Sequence, residues 1–276
     1  MSAVPPVRVS IVTVCWNDLE NVQRTLDSLA RQTALHGWEH VLIDGASNDG
    51  TAEWYQSAGF AFPHAVISEP DNGLYDAMNK SLDIVKGDHV VFMNAGDCFA
   101  DENALSRVLS RVSSSLAWGY SRARVVDSNE LKVRPNVGKI PYSRVKHLFG
   151  GGVLCHQAVV MKVEFLRELG GFDLRMGDVA DYHLLINAAS RALPQTWPEI
   201  DVNYLDGGRS AVNPDIWGKH RARVDVLALT PTAASLDSAW TATQLARIRF
   251  RQKLKPLLGP LYVRLLRAVS RDGSNQ

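Results

Sequence analysis

Residues 40–51 read HVLIDGASNDGT. An apolar run, His40 to Asp44, is broken by the turn-rich Gly45-Ala46-Ser47-Asn48-Asp49-Gly50, after which Thr51 to Gln56 starts a helix. The same alternation lies on both sides. Upstream, Arg8 to Cys15 (RVSIVTVC) is a β-branched run of the kind buried in parallel sheets, and Leu19 to Gln32 sets Leu19, Val22, Leu26 and Leu29 on one helical stripe. Downstream, Ala65 to Ser68 reads as a third strand, and Leu74, Ala77, Met78, Leu82 and Val85 recur at helical spacing. His89 to Met93 (HVVFM) is a fourth strand. This repeat predicts a doubly wound, mostly parallel α/β sheet flanked by helices, with right-handed crossovers.

Composition fits that class. The 276 residues are 46% hydrophobic and 21% charged, which suits a folded globular chain and argues against disorder or a fibrous repeat. The net charge of +1 excludes a protein that coats nucleic acid through its overall field. The charge is uneven, however: from Thr241 onward Arg247, Arg249, Arg251, Lys253, Lys255, Arg264, Arg267 and Arg271 face only Asp272. Cys15, Cys98 and Cys155 are far apart and show no metal-ligand spacing, which suits a reducing cytoplasm. The N-terminus carries no signal-peptide pattern, and no apolar run is long enough to span a bilayer. A cytoplasmic protein is expected.

Past Leu116 the pattern loosens. Tyr120 to Val133 suggests a hairpin turning near Asp127-Ser128-Asn129, and Phe149 to Gly152 a flexible joint. Val153 to Met161 reads as a strand, and Val163 to Leu169 and Asp181 to Ala189 as helices. The second half is thus expected as an α+β extension of the same sheet.

In open α/β sheets ligands bind beyond the carboxyl ends of the strands. The candidates there are Asn17, Asp44, the Asp71-Asn72-Gly73 turn, and Asn94 to Asp97. Taken singly, Asp44 and Asp97 are ordinary turn or cap residues; together at one crevice they suit a nucleotide contact plus a divalent-metal contact. No GxGxxG or GxxxxGK[ST] motif is present, so Mg2+ or Mn2+ would have to neutralise a bound phosphate. Asp76, Asn79 and Lys80 form a polar helix face that is either solvated or turned into the crevice. Asp181 is either a helix cap or a general base. His156 and His183, seen alone, are structural.

Together these stretches resemble family 2 glycosyltransferases of the GT-A fold over roughly residues 8 to 212. SIVTVCWN (10–17) is similar to the family's opening strand, and IDGASNDGT (43–51) to its "DGGSxDGT" turn. SEPDNGLYDAMNK (68–80), NAGD (94–97) and CHQA (155–158) resemble the branch of colanic-acid and exopolysaccharide glycosyltransferases. The resemblance implies inverting transfer from a nucleotide-diphosphate sugar to an acceptor hydroxyl.

By the same resemblance, Asp181 matches the catalytic base and Asp97 the metal-binding aspartate. Val14, Asn17, Asp44, Asp71, Asn79, Lys80, Asn94, Ala95 and Gly96 fall on the donor side, and His156, Tyr182 and Arg209 on the acceptor or diphosphate side. Asn94 and Gly96 replace acidic positions of a fuller "DxDD", Ala180 replaces the glutamate before the base, and no QxxRW occurs, which implies a non-processive enzyme. The implied division is a nucleotide-sugar half over 1–115, an acceptor-side half over 116–212, and a basic helical tail over 213–276. Glycan or lipid-linked acceptors are implied, with no nucleic-acid partner. Leucines among the arginines of 241–276 suit either peripheral contact with the inner face of an anionic membrane or a helix packed on the core. A nucleotidyltransferase, or a degraded homologue that binds nucleotide sugar without turnover, are the rival expectations.

Overall fold

The computed structural model describes residues 6–149, 154–207 and 215–250. Its first half is the expected alternation. Strands β1 (Val9–Cys15), β2 (Trp38–Asp44), β3 (His64–Ser68) and β4 (His89–Phe92) pair in the order β3-β2-β1-β4, all parallel. Because side chains alternate across a strand, Val12 and Val14 of β1 enter the core on one face, and Val9 and Ile11 the core on the other. Helices α1 (Leu19–Ala30), α2 (Thr51–Ser57) and α4 (Ala104–Arg111) cover the second face, and α3 (Leu74–Ser81) covers the first. The periodicity read for α1 is the buried stripe Val22, Leu26 and Leu29.

The second half enters the same sheet. The short β5 (Cys98–Phe99) precedes β6 (Trp118–Val126) and β7 (Lys132–Val137), which form the expected hairpin, with Asp127 Oδ1 accepting the N–H groups of Asn129 and Leu131. After α5 (Arg144–Leu148) come β8 (Val159–Lys162), α6 (Val163–Glu168), α7 (Ala180–Arg191) and β9 (Gln195–Leu205). The nine-stranded sheet continues β4-β8-β6-β9-β5, with β4-β8, β8-β6 and β9-β5 antiparallel and β6-β9 parallel.

One expected element differs. The apolar run ending at Met161 is not a strand throughout: His156–Ala158 form a turn of 3-10 helix, and the strand begins at Val159. The polar side chains of His156 and Gln157 bond to groups at the sheet edge instead of packing in a ladder. Since β8 runs antiparallel to β4 (His89 opposite Lys162, Val90 opposite Met161), this turn lies beside the carboxyl end of β4.

Two further helices, α8 (Ile216–Leu227) and α9 (231–250), follow. They are joined by the buried Arg223, whose Nε and Nη2 donate to the two oxygens of Asp237, each at 2.8 Å, while Nη2 also reaches Thr241 Oγ1 at 2.8 Å. The guanidinium lies over the Trp240 ring, 5.1 Å from its centroid. Residues 251–276 of the basic tail and the Gly150–Gly152 joint lie outside the described residues. Removing the Asp237 carboxylate strands a buried guanidinium, so Asp237→Ala is expected to cost about 3–5 kcal/mol in urea-denaturation experiments.

Candidate active site

The parallel register brings Cys15, Asp44 and Ser68 side by side at the carboxyl edge of the sheet. Asp44 is fully buried there and surrounded by donors. The Ser47 and Ser68 hydroxyls, the Ser47 N–H at 3.1 Å and the Cys15 thiol at 3.5 Å all point to its carboxylate. Asn17 completes this latch: its N–H donates to Ser47 Oγ at 2.7 Å, and its Oδ1 accepts the Asn48 N–H at 2.8 Å. Burial, with the charge of Asp44 beside it, pushes the Cys15 thiol well up, so it stays neutral. Val14, opposite Ile43 in the β1–β2 pairing, packs its side chain into the core.

Above the latch the mouth is open. Trp16 is 68% exposed, and Gly45 leaves room for Asp71: a Cβ on residue 45 would lie 2.6 Å from Asp71 Oδ2 and 3.4 Å from the Trp16 ring. Asp71 Oδ1 accepts the Gly73 N–H at 2.8 Å, whereas Oδ2 accepts no hydrogen bond from the described residues. Asn79 is turned elsewhere. Its amide clasps the backbone of Phe172, accepting its N–H at 2.9 Å and donating to its carbonyl at 2.8 Å. Lys80 pairs with Glu69 at 2.8 Å and donates to the Pro70 carbonyl, bracing the loop before Asp71.

Residues 94–97 form a turn closed by the Asp97 N–H on the Asn94 carbonyl, 3.0 Å. Gly96 has a φ of +92°, a backbone conformation that strains any residue carrying a Cβ, and a Cβ there would lie 2.7 Å from Leu205 Cδ2 and require that side chain to shift. Ala95 is half-buried on the turn. Asp97 is 3% exposed, and both of its oxygens accept, Oδ2 from Gln157 Nε2 and Oδ1 from the Leu205 N–H, each at 2.8 Å. Burial pushes its carboxyl up to about 7 against these donors.

The 3-10 turn joins this aspartate to the second one. Gln157 holds Asp97; its neighbour His156 places Nδ1 3.2 Å from Asp181 Oδ2, while its Nε2 meets Asn94 Nδ2 at 3.3 Å. Asp181 lies in the first turn of α7, not at its cap, with Oδ1 accepting the Tyr182 N–H at 2.7 Å and a side chain 24% exposed. Burial raises its carboxyl, but the His156 hydrogen bond and charge, the Tyr182 N–H and the charge of Lys219 outweigh it. They hold the group below the ordinary aspartate value of 3.8. The charges of both aspartates reach Cys155 and Tyr204, which places them around one region. Tyr75, stacked on Phe172 at 5.2 Å, is pushed up by burial and by the charge of Asp181. Tyr182 donates its hydroxyl to the Leu148 carbonyl at 2.5 Å, and Lys219 Nζ lies 5.3 Å from its ring centroid.

For a divalent cation the described residues offer oxygens but no cage. No group of three or more His, Cys, Asp or Glu among them could hold an ion alone. Asp97 shares its turn with Asn94, whose buried Oδ1 has no hydrogen-bond partner. One carboxylate and one amide oxygen fit an ion that keeps water and diphosphate oxygens as its other ligands.

The model of the family "Glycosyl transferase family 2" matches residues 10–170, more than half of the chain. The chain belongs to glycosyltransferase family 2. An uncharacterized glycosyltransferase of Mycobacterium tuberculosis, Rv1514c, is 33% identical over 202 residues, covering 71% of this chain and 73% of its own. The PGL/p-HBAD biosynthesis glycosyltransferase Rv2957 of the same species is 26% identical over 198 residues, covering 66% and 69%. Among solved structures, Staphylococcus aureus TarS with UDP-GlcNAc superposes with a TM-score of 0.65 at 15% identity, over 94% of this chain and 79% of that one. The mannosyltransferase PcManGT of Pyrobaculum calidifontis, with GDP-Man and Mn2+, gives 0.59 at 18%, over 99% and 84%. The fold of this glycosyltransferase is therefore GT-A-like.

In this glycosyltransferase the structure gathers Asn94, Asp97, His156, Asp181 and Tyr182 at one place and Asn17, Asp44 and Asp71 at the adjoining strand exits. It commits Asn79 and Lys80 to loop bracing. Arg209 lies outside the described residues. Sequence reasoning missed Gln157, Trp16 and Lys219. For Gln157 the available signal was a polar pair interrupting an apolar run. Replacing His156 removes the main group that opposes burial at Asp181, so His156→Phe is expected to move the Asp181 titration upward, read by 13C carboxyl NMR. The stability that the ionised carboxylate contributes, present above the unfolded aspartate pKa and lost as pH falls through the folded one, should shrink in the same variant.

Proposed function

We propose that this glycosyltransferase moves one sugar per encounter, with inversion, from a nucleotide-diphosphate sugar to an acceptor hydroxyl in the assembly of a bacterial exopolysaccharide or surface glycan. The observation that carries the reading is the pairing of Asp97 and Asp181 through adjacent residues of one turn, with Asp181 kept ionised and partly open. A carboxylate in that state is a base ready for the acceptor proton. The acceptor oxygen attacks the anomeric carbon, its proton passes to Asp181 Oδ2 or Oδ1, and the carbon–oxygen bond to the diphosphate breaks, the electron pair leaving with the nucleoside diphosphate. Asp181 is weakly basic in water, yet the attacking hydroxyl acidifies as its bond to the electron-poor carbon forms.

On the donor side the exposed face of Trp16 suits stacking with a base, and the open Oδ2 of Asp71 suits an N–H of that base. The backbones of Val14 and Asn17 would border the same pocket, with Asp44 holding the strand exits at their spacing. The backbone of Asn94, Ala95 and Gly96 would face the sugar and diphosphate. Asp97 and Asn94 Oδ1 would hold Mg2+ or Mn2+, which when bound supplies positive charge to the departing diphosphate. The structural neighbours in complex with UDP-GlcNAc and with GDP-Man and Mn2+ support a nucleotide-sugar donor and a divalent ion. His156 and Tyr182 would border the acceptor. No helix among the described residues is long and apolar enough to cross a membrane. A lipid-linked acceptor would be met peripherally, at the inner face of the plasma membrane, through the leucines and basic residues of 241–276.

A thermal-shift screen of UDP- and GDP-sugars with and without Mn2+ should stabilise the protein with one donor class, more so with the ion. Asp181→Asn is expected to lower kcat by about 10²–10⁴-fold and to leave donor affinity unchanged. Turnover near that of the wild type would remove Asp181 from the role, and donor binding without any transfer or hydrolysis would favour a pure nucleotide-sugar binder.

A further inference from the structure

Lys219, on α8, is half-buried and has no carboxylate within ion-pair distance among the described residues. Its Nζ instead lies 5.3 Å from the centroid of the Tyr182 ring. That ring is fixed by the hydroxyl bond to the Leu148 carbonyl and by an edge contact with His147, 6.1 Å between centroids at 88°. The neighbouring charges are already engaged. Asp181 is taken by His156 and by the Tyr182 N–H, and Asp215 caps α8 through the Gly218 N–H and pairs with Arg221. Arg223, one turn along, is held by Asp237 and adds like charge. Burial pulls the Lys219 ammonium down although Asp181 and Asp215 pull it up.

A partly desolvated ammonium that no carboxylate contacts is unfavourable in the resting protein, because the aromatic face and the more distant charges of Asp181 and Asp215 offset only part of that cost. An oxyanion brought by a ligand would supply the missing charge. Its side of the site follows from inversion: nucleophile and leaving group occupy opposite faces of the reacting carbon. Lys219 and Asp181 lie close enough for each to feel the other's charge, so on that reading the lysine stands on the base's side of the reacting carbon, with the acceptor.

We propose that Lys219, seated on the Tyr182 ring, binds an oxyanion carried by the acceptor, so that this transferase selects acidic acceptors. The oxyanion is either a phosphate of a lipid-carried glycan or the carboxylate of an acid sugar. This rests on the transfer reading for the role of Asp181; the unpaired lysine on the aromatic face does not.

The test uses the full chain, Lys219→Met, which keeps an unbranched side chain over the ring without charge, and Lys219→Arg, which keeps the charge. Farnesyl diphosphate in micelles and D-glucuronate are titrated by calorimetry with UDP or GDP in excess, and UDP and GDP are titrated separately. Lys219→Met should weaken at least one acidic probe by about tenfold or more, with nucleotide affinity and thermal midpoint unchanged, and Lys219→Arg should retain binding. An effect on farnesyl diphosphate alone identifies a lipid-carried phosphate; an effect on glucuronate alone identifies an acid sugar. Wild-type affinity of Lys219→Met for both probes, failure of the wild type to bind either, or a loss confined to the nucleotides would overturn the proposal. If Lys219→Met does not fold, Lys219→Gln is read in the same way. Failure of the transfer reading registers separately, as absence of both transfer and hydrolysis when the wild type is given nucleotide sugars.

Discussion

Two carboxylates at the edge of an apolar sheet need donors, and here the donors come from adjacent residues of a single 3-10 turn. Gln157 holds Asp97, and His156 holds Asp181. The rest of the site depends on this turn, because it fixes where the two acids stand relative to each other and divides their environments. Asp97 is enclosed, with both oxygens bonded and its carboxyl pushed up to about 7 by burial. Asp181 is partly open, and its histidine, a backbone N–H and a nearby lysine outweigh burial and hold it ionised. Neighbouring acids pushed in opposite directions are suited to different tasks.

The turn can act in this way because the sheet changes direction next to it. Strands β1 to β4 run parallel and end at one edge; β8 runs against β4, so the segment leading into β8 arrives at that same edge. The Leu205 N–H at the end of β9 then closes on Asp97. On the other flank, α7 carries Asp181 and Tyr182, and the Arg223–Asp237 pair holds together α8 and α9, which place Lys219 against Tyr182. The acidic pair thus stands between a rigid parallel half and a helical C-terminal part joined to it by specific polar contacts.

Much of the fold was legible because it rests on local periodicity. The β-branched runs at Val9–Cys15 and His89–Phe92, the stripe of α1 and the turn after Asp44 are patterns that the chain carries whatever it packs against. The site was legible only at its acids. Asp44 stood out as a strand-exit aspartate, but its full enclosure by Ser47, Ser68 and Cys15 depends on three strands lying in register. Asn79 shares its helix face with Lys80, and nothing local says that its amide closes on Phe172, 93 residues away. Gly96 departs from an acidic motif for a reason visible only in space, the approach of Leu205 to a left-handed backbone.

Asp97 and Asp181 were singled out through the resemblance to family 2 glycosyltransferases; by itself the sequence determined that this chain forms strands and helices in alternation and that its polar residues collect at strand exits. Those are consequences of residue type and short spacing, which act before any distant segment is met. Tertiary structure alone decided which acid is enclosed and which stays open, that His156 and Gln157 mediate between them, and that Lys219 stands unpaired beside Tyr182. These properties arise from desolvation and from hydrogen bonds between segments separated by tens of residues. The free energy of a charge is set by everything around it, not by its neighbours along the chain.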